Sequence, residues 1–161
     1  MANLKDLSLP VQLFLKAYRF RVNDPIPWAS LKKPLSESKV ALITTAGFYL
    51  EGQTPFDEGY RGGDPSFREI PHSRELIKKI KVGHRSESFD HLGIEGDPNL
   101  ALPLEASESL LQKKKIGSLN SRHFSFMGSI TAPMKLVKET APRVVALLKS
   151  DGVDVAFLTP V

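Results

Sequence analysis

The sequence predicts an α/β fold, a three-layer sandwich around a mostly parallel sheet of the flavodoxin/Rossmann-like kind. Three observations lead there. The stretches "KVALITT" (39–45) and "VDVAFLT" (153–159) carry the near-continuous apolar character of strands buried on both faces. Helical patterns alternate with the strands, as βα units require. The 161 residues, 41% hydrophobic and 25% charged, suffice for one domain with a core. No repeat and no second composition regime divides them, so residues 1–161 read as a single domain.

The elements follow in order. "SLPVQLFLKAYRF" (8–20) suits an amphipathic helix: Ser8 can cap, Pro10 fits the first turn, and Val11, Phe14, Leu15 and Tyr18 share a face. "RVNDPIPWASLKKPLSES" (21–38) is irregular, with Trp28 as a packing anchor. A strand from Lys39 to Gly47 comes next. A Gly-, Pro- and Asp-rich stretch (48–66) is too long for a plain connector and reads as a functional or partner-facing loop. "FREIP" (67–71) and "KIKVGH" (79–84) are further strands. "PLEASESLLQKKKIG" (103–117) is a helix with acidic residues first, lysines last and Gly117 as its stop. "RHFSFMG" (122–128) is a strand. "APMKLVKE" and "TAPRVVALLKSDG" are helical, with Thr140 as cap and Gly152 as stop. The run 153–158 completes the sheet as a central parallel strand.

Composition excludes some functions. The net charge of +4 comes with lysines at "IKKIKVGHR" and "LLQKKKIG". They lack interleaved aromatics and read as solvated surface, so no nucleic-acid partner is expected. No apolar run approaches a membrane span, and the charged, proline-bearing N-terminus does not read as a signal peptide; a cytoplasmic protein is expected. There is no cysteine, hence no disulfide, thiolate metal site or cysteine nucleophile within these residues.

In such a sheet ligands bind beyond the carboxyl ends of the strands. Three ends stand out: "TTAG" with Thr45 and Gly47, "FMGS" with Met127, Gly128 and Ser129, and "LTPV". Glycines there let backbone N–H groups approach a ligand, although a tight turn needs the same residues. Neither glycine motif has phosphate-loop spacing. His84 follows a strand and titrates near neutrality, which suits a general acid or base as well as a hydrogen-bonded loop histidine. His84 and His91 are not spaced as a helical metal pair, so no metal site is expected. Asp97 and Asn99 belong to a polar loop, or to a turn that caps the next helix.

The order of "PLSESKVALITTAGFY", "PFD", "GDPSFREIP", "GHRSESFDHLGIEGDPNLALPLEAS", "KKIGSLNSRHFSFMGS" and "DGVDVAFLTPV" resembles the selenoprotein B family of glycine, betaine, sarcosine and D-proline reductases, nearest in layout to the small D-proline reductase subunit. The resemblance runs from about residue 17 to 161. It implies a selenocysteine or cysteine directly after Val161, and so a chain that lacks its C-terminal part and its nucleophile and is inactive alone. A UGA codon read as stop, a trimmed polypeptide and a natural short form would all end here. The resemblance further implies reductive cleavage of an amino acid, with a pyruvoyl group on a partner subunit and electrons from a dithiol or thioredoxin-type donor. Thr45, Gly47, His84, Asp97, Asn99, Met127, Gly128 and Ser129 would then line the substrate site, and a homo-oligomer is compatible. The rival expectation is a non-catalytic α/β module that binds a ligand or partner through residues 47–66.

Overall fold

The computed structural model describes residues 5, 7–18, 22–86 and 91–161. The chain divides into two units, Met1–Ser30 and Leu31–Val161. The first holds helix α1 (Leu9–Ala17), with Pro10 in its first turn. Residues 19 and 20 of the expected helix lie outside the described residues. None of the α1 residues is buried, and the Phe14 and Tyr18 rings meet at a tilt of 47° with centroids 5.6 Å apart. Trp28, expected as an anchor, is 86% exposed.

The second unit is a three-layer α/β sandwich with a mostly parallel sheet. Its centre is β1 (Lys39–Thr44), whose Ala41 and Leu42 are buried on opposite faces. The strands paired with it are β5 (Ser118–Leu119), β6 (Arg122–Phe126) and β7 (Val155–Thr159), all parallel to β1. β5 and β6 share one edge of β1 in succession, and β7 takes the other. β3 (Phe67–Pro71) runs antiparallel on β6. A separate ribbon pairs β2 (Phe48–Tyr49) with β4 (Lys81–Val82). The expected strand at 79–84 is thus only two residues long. A short helix α2 (Arg74–Ile77), which the sequence reading missed, is capped by Ser73 accepting from the Leu76 N–H.

Where β1 changes partner, a side chain completes the ladder. The Leu42 N–H donates to Nδ1 of the fully buried His123 at 3.0 Å. That bond leaves the His123 proton on Nε2, which faces His72 Nδ1 at 3.0 Å. His72 Nε2 in turn lies 3.2 Å from Glu108, which is also paired with Arg74. Burial, then the neighbouring His72, pushes His123 down to about 4, so it is neutral at pH 7.

Helices cover both faces of the sheet. Val144 and Leu148 of α5 (Ala141–Ser150) pack on Ala41, Phe124 and Phe126. Burial of such side chains contributes about 2 kcal/mol each. On the other face, Ile94 of the short helix α3 (Leu92–Gly96) and Leu104 of α4 (Leu104–Gln112) join Leu42, Phe48 and Ile70. α4 stops at Lys113, and the turn is made by Lys114 at φ 54°. Gly117 answers a different need: a Cβ there would stand 2.4 Å from the Glu37 carbonyl carbon. Thr140 does not cap a new helix. Residues Leu136–Thr140 form a wide π turn that runs straight into α5, because Pro142 has no N–H for a regular turn.

β7 departs most from expectation. It is parallel, as read from the sequence, but it is an edge strand: it pairs only with β1 among the described residues, and Phe157 and Leu158 are 52% and 63% exposed. The apolar run signals a strand that wants cover on both faces; it does not say what supplies that cover.

Candidate functional site

The carboxyl ends of β1, β6 and β7 meet at one place. Beyond β1, the Thr45 N–H donates to the Thr159 carbonyl at 3.3 Å. The Val161 N–H donates to Thr45 Oγ1 at 2.9 Å, and the Thr45 hydroxyl lies 3.4 Å from the Val161 carbonyl oxygen. The end of β7 is pinned from the other side by the Thr159 hydroxyl, which donates to the Ala101 carbonyl at 2.5 Å.

Two glycines let the neighbouring loops close in. Gly47, at φ 70°, donates to the Phe126 carbonyl at 2.8 Å and accepts from the Gly83 N–H at 2.9 Å. A Cβ on Gly47 would stand 2.9 Å from the Gly83 backbone. Gly128, also at φ 70°, is tighter: its Cβ would fall 2.6 Å from the Thr45 carbonyl and 2.7 Å from His84 Nε2. Ser129 follows at φ 45°, a left-handed position without glycine's freedom. The β2–β4 ribbon places the buried His84 against these turns. Its Nδ1 accepts from the Ser86 N–H at 3.1 Å, so the ring proton sits on Nε2, on the Gly128 side. Burial, then the His91 ring nearby, lowers its proton affinity and keeps it neutral.

Around this junction opens a cavity of 590 Å³, lined by Thr45, Gly128, Ser129 and Val161 at the strand ends. Its walls are apolar, from Ile43 and Leu158 on the sheet to Val144 and Leu148 on α5. The structure therefore gathers Thr45, Gly128 and Ser129 in the lining, with Gly47 and His84 directly behind. Met127 is fully buried between two lining residues in the chain. Asp97 and Asn99 lie elsewhere, in a 280 Å³ cleft with Lys78 and Glu105. Asp97 accepts from the Asn99 N–H at 3.0 Å, and Asn99 Oδ1 accepts from the Glu105 N–H at 3.2 Å. Asp97 thus closes the short turn Pro98–Leu100, and Asn99 meets the first turn of α4.

Sequence reasoning missed the apolar wall from α5 and the anchoring role of Thr159. The helical spacing of Ala141, Val144, Val145 and Leu148 carried the first signal. Nothing local announced the second.

The profile of the Glycine/sarcosine/betaine reductase selenoprotein B family matches residues 8–161. The chain belongs to this family. It is 30% identical over 156 residues to D-proline reductase subunit gamma of Acetoanaerobium sticklandii, covering 97% of this chain and 62% of that relative. It is 27% identical over 146 residues to betaine reductase complex component B subunit beta of Peptoclostridium acidaminophilum, covering 85% of this chain and 31% of that relative. The chain thus spans less than two thirds of the curated relatives it matches. No solved structure matches it. Both relatives are named as reductase subunits, and among the described residues no helix is long and apolar enough to cross a membrane.

Proposed function

We propose that the chain forms the scaffold of the reducing site in an amino-acid reductase subunit of the D-proline, glycine, sarcosine or betaine type. One observation carries this reading: the Thr45–Val161 hydrogen bonds hold the end of the β7 segment at the lip of the 590 Å³ cavity. In the reductases that the sequence resembles, a selenocysteine or cysteine directly follows this Thr-Pro-Val stretch. A residue in that position would reach the cavity mouth. Its anion would be favoured there by the backbone N–H groups of the Gly128–Ser129 turn, whereas those of residues 45–48 are already donated within the fold.

In this reading Thr45 and Ser129 present hydroxyls to the substrate, and Gly47 and Gly128 bring the backbone close. Met127 backs the site, and neutral His84 holds a proton on Nε2 toward it. The apolar α5 wall keeps water out and strengthens the polar contacts that remain. A pyruvoyl group on a partner subunit, when present, supplies the carbonyl chemistry that activates the amino acid. The electrons come from a dithiol, carried by a thioredoxin-type protein in the cytoplasm, where dithiols stay reduced. The balance closes: one C–N and two S–H bonds become one C–H, one N–H and one S–S bond. The 161 residues contain no cysteine and contribute no thiol of their own.

The test is a chimera. In A. sticklandii D-proline reductase, the part of subunit gamma that matches this chain is replaced by the chain, and the complex is assembled with its partner subunits. Dithiol-dependent cleavage of D-proline, glycine, sarcosine or betaine is expected, lost when the residue after Val161 is changed to serine. An assembled complex that cleaves none of the four overturns the reading.

A further inference from the structure

The outer edge of β7 is the least finished surface of the second unit. Among the described residues its only strand partner is β1, so one row of its backbone groups faces outward. Both of its faces are open as well. Ala156 and Leu158 border the 590 Å³ cavity beside Val145 of α5, and Val155 and Phe157 border a second apolar cleft of 340 Å³ beside Leu110 of α4. Strand and clefts form a single apolar step, two grooves with a sheet edge between them. A parallel sheet is ordinarily covered on both faces by helices.

We propose that this step is the docking surface for the polypeptide that the longer relatives carry outside the matched stretch: a strand that pairs with the outer edge of β7, with an apolar helix filling each groove. Length supports that occupant. In the A. sticklandii relative, 156 matched residues are 62% of the chain, so about 95 residues lie outside the match. That is ample for two further βα units, which need roughly 30 residues each. Geometry supports it too, because the two grooves lie on opposite faces of β7, as the covering layers of one continued sheet would require. The docked segment would also close the lateral opening of the 590 Å³ cavity along Leu158, so the candidate site is incomplete without it. The inference rests on the family and the exposed edge, and it holds or fails independently of the reaction proposed above.

The experiment uses the whole 161-residue chain, tagged and co-expressed with the portion of A. sticklandii subunit gamma outside the match. Expected are a one-to-one complex by native mass spectrometry and slowed hydrogen exchange at residues 155–159. Phe157→Lys and Leu158→Lys should each weaken capture by at least about tenfold, since each puts a charge into a desolvated contact. The melting temperature of the chain alone should stay unchanged, because both side chains are exposed before docking. A chain that dimerises alone through β7, with those amides already protected, overturns the proposal in favour of a second copy. So does free exchange at residues 155–159 in the presence of the segment. If the segment does not fold separately, exchange in the full-length relative decides: rapid exchange in its strand aligned to β7 overturns the proposal, and protection there that is lost when the unmatched portion is deleted supports it.

Discussion

At the amino ends of β1 and β6 the polar groups answer one another, whereas at the carboxyl ends they surround an opening. Arg122 donates to both oxygens of Asp151 and to Glu69, each at 2.8 Å, tying β6 to the end of α5 and to β3. Asn120 adds a bond to Asp151 at 2.9 Å, and Lys39 donates through Nζ to the Asp151 carbonyl at 2.8 Å. These partners hold Asp151 down at about 2. At the other end the same strands finish in Thr45, Gly128, Ser129 and Val161 around a 590 Å³ cavity, with no charged side chain in its lining. One end invests its charges in holding the fold. The other presents neutral hydroxyls and close backbone to the cavity.

That contrast ranks the expected effects of perturbation. Arg122→Ala should cost about 3 kcal/mol in urea unfolding, because it strands two carboxylates that are now paired; a loss below 1 kcal/mol would dissolve the distinction between the ends. Acid should act nearly as strongly through His123. Its folded-state affinity for a proton is below that of the unfolded chain, so its contribution is complete above pH 6.5 and is lost as pH falls toward 4. The loss should be about 3 kcal/mol in denaturant titrations across that window, and His123→Asn should remove most of the slope. Gly128→Ala should cost about 2 kcal/mol, since it combines a left-handed φ with a Cβ pressed on Thr45 and His84. It should also perturb the His84 ring resonances by NMR, which an effect of backbone strain alone would leave in place. Thr45→Val should be smallest, about 1 kcal/mol, and should speed hydrogen exchange of the Val161 amide, the group it releases.

Much of this architecture was legible. β1, β3 and β6 were found because apolar, β-branched or alternating stretches bounded by Gly and Pro identify strands with little outside help. α4 was found from its acidic first turn and α5 from its Gly152 stop, both written locally. β5, α2 and β2, two to four residues long, escaped, and β4 is shorter than the strand expected at 79–84: they exist because neighbours hold them, and so short a stretch carries no period. Of the eight suspected site residues, the glycine-bearing strand ends converge because parallel strands must finish on the same side. Asp97 and Asn99 sit apart because their polar atoms close the Pro98–Leu100 turn and meet the first turn of α4, contacts that the packed structure alone reveals.

The amino-acid order alone set the identity of the central strand, the helices that flank it and the family, since each depends on local pattern or on motifs kept in series. Packing alone decided that His123 completes the β1 ladder, that Thr45 grips Val161, and that β7 lies at an edge. These are contacts between residues 81 or more positions apart in the chain, and no local preference encodes which distant partner a side chain will meet.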